Sequence, residues 1–125
     1  METVKKILLI EDDLYTRELF EEILKDAGFV VTVALDGELG FNKMLEGGYD
    51  LILLDIIMPI MDGLEVLTKL KSATPKQKNG PVVMLTNLSH DPIIKDALSK
   101  GANGYLIKSD LTPETLVKKV RGFLE

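Results

Sequence analysis

Five short, near-continuous apolar runs alternate along this chain with segments of helical period. The runs are Lys6 to Ile10, Phe29 to Ala34, Leu51 to Leu54, Pro81 to Leu85 and Tyr105 to Ile107. A strand with one wet face alternates apolar and polar residues, whereas an unbroken apolar run suits a strand covered on both faces. Strict alternation of strand and helix requires right-handed crossovers, which make the strands parallel and distribute the helices over both faces. The expected fold is therefore α/β, a doubly wound five-stranded parallel sheet with five helices.

The intervening segments carry their own start and stop signals. Phe20, Ile23, Leu24 and Ala27 follow the i, i+3, i+4, i+7 pattern, and Gly28 supplies a left-handed stop. Asp36 is placed to cap a second helix with Leu39, Phe41, Met44 and Leu45, in which Gly40 costs about 1 kcal/mol relative to alanine. A third starts near Asp62 with Leu64, Leu67 and Leu70 inward, and ends in the lysine-rich loop from Ser72 to Gly80. Asp91 followed by Pro92 opens a fourth, with Ile93, Ile94, Ala97 and Leu98 inward and Gly101 as its stop. Thr112 and Pro113 open the fifth. There Leu111 and Leu116 take the positions of a hydrophobic staple, and Val117, Val120, Phe123 and Leu124 continue the stripe.

At 125 residues, 46% of them hydrophobic, the chain has material for one core and no second domain. Twenty acidic against fifteen basic residues leave a net charge of -5, which opposes direct binding to nucleic acid or to anionic membranes. The absence of cysteine rules out disulfides, thiolate metal sites and thiol redox chemistry, and suits a cytoplasmic protein. Ile7 to Ile10 is too short for a signal core, and no apolar run approaches the ~18 residues that span a bilayer.

In doubly wound sheets, function gathers beyond the carboxyl ends of the strands. The first run here ends in Glu11, Asp12 and Asp13, the third in Asp55, the fourth in Thr86 and the fifth in Lys108. Carboxylates brought together from neighbouring first and third strands resist joint ionisation unless a cation intervenes. Oxygen donors without histidine or cysteine nearby suit Mg²⁺ and phosphoryl chemistry. Taken alone, Glu11 to Asp13 read better as a helix cap favoured by the helix dipole. Asp55 is harder to assign to a turn, because it stands between Leu51–Leu54 and Ile56–Met58.

The runs KILLIEDD, LILLDIIMPIMDG, VVMLT and GANGYLIK, in this order and spacing, resemble the response-regulator receiver family over essentially the whole chain. The resemblance implies a flavodoxin-like sheet of order 2-1-3-4-5 and a phosphoacceptor switch in two-component signalling. It makes Asp55 the phosphoacceptor and places Mg²⁺ on Asp12, Glu11, Asp55 and the backbone carbonyl of Ile57. Lys108 then offsets charge on the phosphoryl group, and the Thr86 hydroxyl moves to meet it. Tyr105 reports that movement on the surface of the fourth helix, fifth strand and fifth helix. Ile57, Asn87 and Leu88 take the positions that govern water access to the phosphorylated aspartate. Serine at 109 departs from the proline usual there, so a trans bond is expected after Lys108. The implied partners are a sensor histidine kinase or histidine phosphotransfer protein and a downstream target protein, with the chain a monomer or weak dimer. As a single receiver domain without an output domain, it is expected to be either a stand-alone regulator or a receiver cut from a larger protein.

Two other readings are weaker. A phosphatase resembling the haloacid dehalogenase family wants a second acid two residues after its nucleophile, where this chain has Ile57. A pseudo-receiver that is not phosphorylated has no need of Asp12, Asp55, Thr86 and Lys108 together. His90 reads as a surface residue beside a helix start, and Met58 and Met61 as turn packing rather than a docking patch.

Overall fold

The computed structural model describes residues 4–87 and 91–125. In chain order the elements are β1 (Lys6–Ile10), α1 (Leu14–Asp26), β2 (Val30–Ala34), α2 (Gly37–Glu46), β3 (Leu51–Asp55), α3 (Gly63–Leu70), β4 (Val82–Thr86), α4 (Asp91–Ser99), β5 (Gly104–Ile107) and α5 (Pro113–Leu124), with a 3₁₀ turn over Lys108–Asp110. All strand pairs are parallel, in the order β2-β1-β3-β4-β5. This is the flavodoxin-like architecture expected from the sequence.

Strand period 2 divides the core between the two faces. Ile7 and Leu9 of β1 with Leu51 and Leu53 of β3 pack beneath α1 and α5, against Phe20, Leu24, Leu116 and Val120. Leu8, Ile10, Ile52 and Leu54 point the other way, to Met44, Val66, Leu67 and Ala97 of α2, α3 and α4. Each fully buried aliphatic side chain contributes roughly 1.5–3 kcal/mol, so the central strands form a rigid platform for whatever stands at their ends.

Two residues expected to point inward, Leu39 and Leu98, are exposed. In α3 Leu67 is buried and Leu64 and Leu70 pack against the core as expected, beside Gly63 and Val66. Gly63 lets α3 approach β3 closely, since a Cβ there would lie 2.4 Å from the carbonyl oxygen of Asp55. Gly40 is explained in the same way. Its missing Cβ would fall 2.6 Å from the side chain of Ile10, so the helix-propensity cost is offset by close approach of α2 to β1. The fourth helix begins at Asp91 itself, whereas the sequence suggested a cap there and a start at Pro92.

The turn between β3 and α3 buries Met58 and Met61 in the core, which confirms turn packing. Its outward residues are Ile57, Pro59 and Ile60. Ile60 has φ 70°, a left-handed conformation that costs a β-branched residue roughly 1–2 kcal/mol.

Candidate functional site

Register brings the polar strand ends together. Ile10 pairs with Leu54, Asp55 with Leu85, and Thr86 with Ile107. Glu11, Asp55, Thr86 and Lys108 therefore emerge side by side at the carboxyl edge. The chain leaves β1 for β2 on one side and meets β3 on the other, so this edge is the switch point where crevices form.

The three consecutive acids after β1 separate into different roles. Asp13 is the cap of α1: its side chain accepts from Thr16 N at 2.9 Å and from the Thr16 hydroxyl at 2.8 Å. Those bonds, the backbone one foremost, hold its carboxyl below the usual range. Glu11 is 1% exposed, and its Oε1 accepts the Asp13 N–H at 3.1 Å. Asp12 is exposed on the cleft wall. The capping reading of this triplet thus holds for Asp13, while Glu11 and Asp12 are left facing the cleft.

Lys108 Nζ lies 2.5 Å from Glu11 Oε2 and 3.0 Å from Asp55 Oδ2. Burial disfavours its ammonium, but Glu11 and Asp55 outweigh burial and raise its pKa above the ordinary value. The Asp55 carboxyl is pushed up to about 7, first by burial and then by Glu11, with Lys108 opposing. Carboxylate oxygens of Glu11, Asp12 and Asp55 lie within 4.8 Å of one another, and a single ammonium faces two of them. Excess carboxylate charge and hard oxygen donors fit a divalent cation such as Mg²⁺.

These groups line a cleft of about 430 Å³ together with Thr16, Ile57, Thr86 and Asn87. Thr86 is buried at its base, whereas the Ile57 side chain is 63% exposed at the mouth. Tyr105 lies elsewhere, 44% exposed beside Ile56, Met84 and Ile94 on the α4 side of the sheet. Leu88 and His90 fall outside the described residues. A larger hollow of about 830 Å³ between α1 and α5, lined by Ile23, Ala27, Pro113 and Val117 among others, is made of helix flanks and not of strand ends. The sequence reading missed Arg17, whose guanidinium donates to the carbonyls of Glu11 and Asp12. Its position one turn into α1, behind the acids, was the available signal.

The profile of the family described as "Response regulator receiver domain" matches residues 7–121. The chain belongs to this family. Among related receiver-containing proteins, it is 39% identical over 113 residues to the transcriptional regulatory protein HprR of Escherichia coli, covering 90% of this chain and 49% of that protein. It is 33% identical over 120 residues to the chemotaxis protein CheY of Listeria monocytogenes, covering 93% and 98%. The chain spans about half the length, or less, of several other curated relatives it matches. The receiver fold of the response regulator TrrA from Thermotoga maritima, a structure in complex with Mg²⁺-BeF, superposes with a TM-score of 0.80 at 34% identity, over 97% of this chain and 100% of that one. Among the described residues no helix is long and apolar enough to cross a membrane.

Proposed function

We propose that this receiver domain is a phosphoacceptor switch in which Asp55 takes a phosphoryl group from a histidine kinase or phosphotransfer protein and the altered surface engages a downstream target. One observation carries the reading: Asp55 ends the central strand within reach of both Lys108 and the Glu11–Asp12 pair. A carboxylate oxygen of Asp55 attacks phosphorus, forming an O–P bond as the bond from phosphorus to the donor atom breaks with its electron pair. Glu11, Asp12, Asp55 and the Ile57 carbonyl would hold Mg²⁺, whose charge would keep Asp55 ionised and offset the phosphoryl oxygens. Lys108, anchored in the 3₁₀ turn by a trans peptide to Ser109, donates to a phosphoryl oxygen. Thr86, at the base of the cleft, is the hydroxyl that senses the new group, and Tyr105 carries the change to the surface formed by α4, β5 and α5.

The reading is supported by the geometry of the acids and by the Mg²⁺-BeF named for the Thermotoga neighbour. A small phosphodonor such as acetyl phosphate, added with Mg²⁺, is expected to give one phosphoryl adduct by intact-mass analysis and none when the metal is chelated. A chelator-independent adduct, or none in either condition, overturns the proposal. Hydrolysis of simple phosphate esters with turnover would point instead to a phosphatase.

The lifetime of the adduct follows from Ile57, Asn87 and Leu88. Ile57 at the cleft mouth has no group to orient an attacking water, so self-dephosphorylation is slow. Asn87 lines the same cleft and crowds both water and donor. Ile57→Asn is expected to speed decay of the adduct at fixed Mg²⁺ and pH, with a larger gain when joined to Leu88→Glu. Equal or slower decay in the double variant removes this assignment.

A further inference from the structure

We infer that Arg17 is a positioning residue that sets the affinity of the cleft for its divalent cation, an inference that rests on the Mg²⁺ reading above. Arg17 stands half-buried in the first turn of α1. One nitrogen, Nη1, donates to the carbonyl oxygen of Glu11 at 3.0 Å and to that of Asp12 at 3.2 Å. These carbonyls belong to the two peptide planes that flank the Asp12 Cα. Holding both planes fixes φ and ψ of Asp12, and with them the direction in which its Cβ carries the carboxylate.

Of the other restraints on this connection, the Asp13 N–H to Glu11 Oε1 bond at 3.1 Å holds the second of these planes, and the rest act on the ends. Glu11 N donates to Ala34 O at 3.1 Å, which ties the start to β2. Asp13 is tied through its cap bonds to Thr16. Asp12, between them, is exposed. Arg17 also sits on a helix whose inner face is locked by Phe20 and Leu24 in the core, so the guanidinium transmits a rigid position to a short irregular segment. Groups behind a ligand that orient it typically change metal affinity by about 10–100-fold when removed.

The sign of the effect separates positioning from charge. A guanidinium near a cation site repels the cation, so if Arg17 acted only as a charge, its neutralisation would tighten Mg²⁺ binding. If it acts by holding the Asp12 backbone, neutralisation loosens binding.

The test is calorimetric titration of Mg²⁺ into metal-free parent, Arg17→Met and Arg17→Lys proteins, with urea unfolding of each in chelator. The dissociation constant is expected to rise about tenfold in Arg17→Met, and to recover partly in Arg17→Lys, which keeps the charge and one donor. Unchanged or tighter binding in Arg17→Met overturns the inference, as does a fall in the unfolding midpoint with affinity intact. Should Arg17→Met fail to fold, Arg17→Lys decides: a weaker Mg²⁺ affinity supports positioning, because the charge is retained, and parent affinity refutes it. A parent that takes up no Mg²⁺ brings down the proposed function itself, whereas a binding parent with unaffected variants brings down only the role of Arg17.

Discussion

Asp55→Asn is expected to abolish the phosphoryl adduct while leaving the chain folded. The amide has the shape of the carboxyl and keeps an acceptor oxygen for Lys108, 3.0 Å away in the parent, but it lacks the negative charge and nucleophilicity that the attack on phosphorus requires. Asp12 and Asp13 are the acids that could substitute. Asp13 is engaged at the α1 cap, and Asp12 stands on the cleft wall rather than at the end of a strand. Neither has the ammonium of Lys108 as an ion-pair partner, as Asp55 and Glu11 do. Intact-mass analysis under conditions that convert the parent should therefore show no adduct in the variant. An undiminished yield in folded Asp55→Asn would transfer the acceptor role to another residue.

Most of the architecture was legible because the strands are buried on both faces, so their composition carries the signal without help from neighbours. Strand ends were legible for the same reason: a charge at Asp55 or Lys108 interrupts an apolar run that has no local use for it. What escaped depends on tertiary contact. The close approach of α3 to β3 follows from Gly63 pressed against the Asp55 carbonyl, a contact between segments that periodicity cannot register. Leu39 and Leu98 obey helical spacing yet lie at the edges of their helices' buried faces and remain exposed. The triplet Glu11, Asp12, Asp13 could not be apportioned, because side-chain directions in a connection without regular structure are set by Ala34, Thr16, Arg17 and Lys108 around it.

The same site makes metal-free stability depend on pH in an unusual direction for a carboxyl. With its pKa pushed up to about 7 from 3.8, Asp55 in the folded chain holds a proton that the unfolded chain has already released. Its contribution to stability is fully present below the unfolded value and is lost as pH rises through the folded one. A displacement of this size corresponds to about 2–4 kcal/mol between pH 4 and pH 8. Other acids titrate in the lower part of that window, so the informative quantity is the difference between Asp55→Asn and parent, measured by urea unfolding in chelator at each pH. Near pH 8 the variant is expected to be more stable by about 2 kcal/mol or more, because a neutral amide faces Glu11 where the parent places a second carboxylate. Toward pH 5 the gap should close as Asp55 becomes neutral in the folded parent. Mg²⁺ should narrow the gap at pH 8, since a ligand of the folded parent stabilises it by mass action while the variant has lost one of the cation's ligands. A variant no more stable than the parent at pH 8, or a gap that widens on acidification, would show that Asp55 is ionised without strain in the metal-free fold and that the cluster has no electrostatic need of a cation.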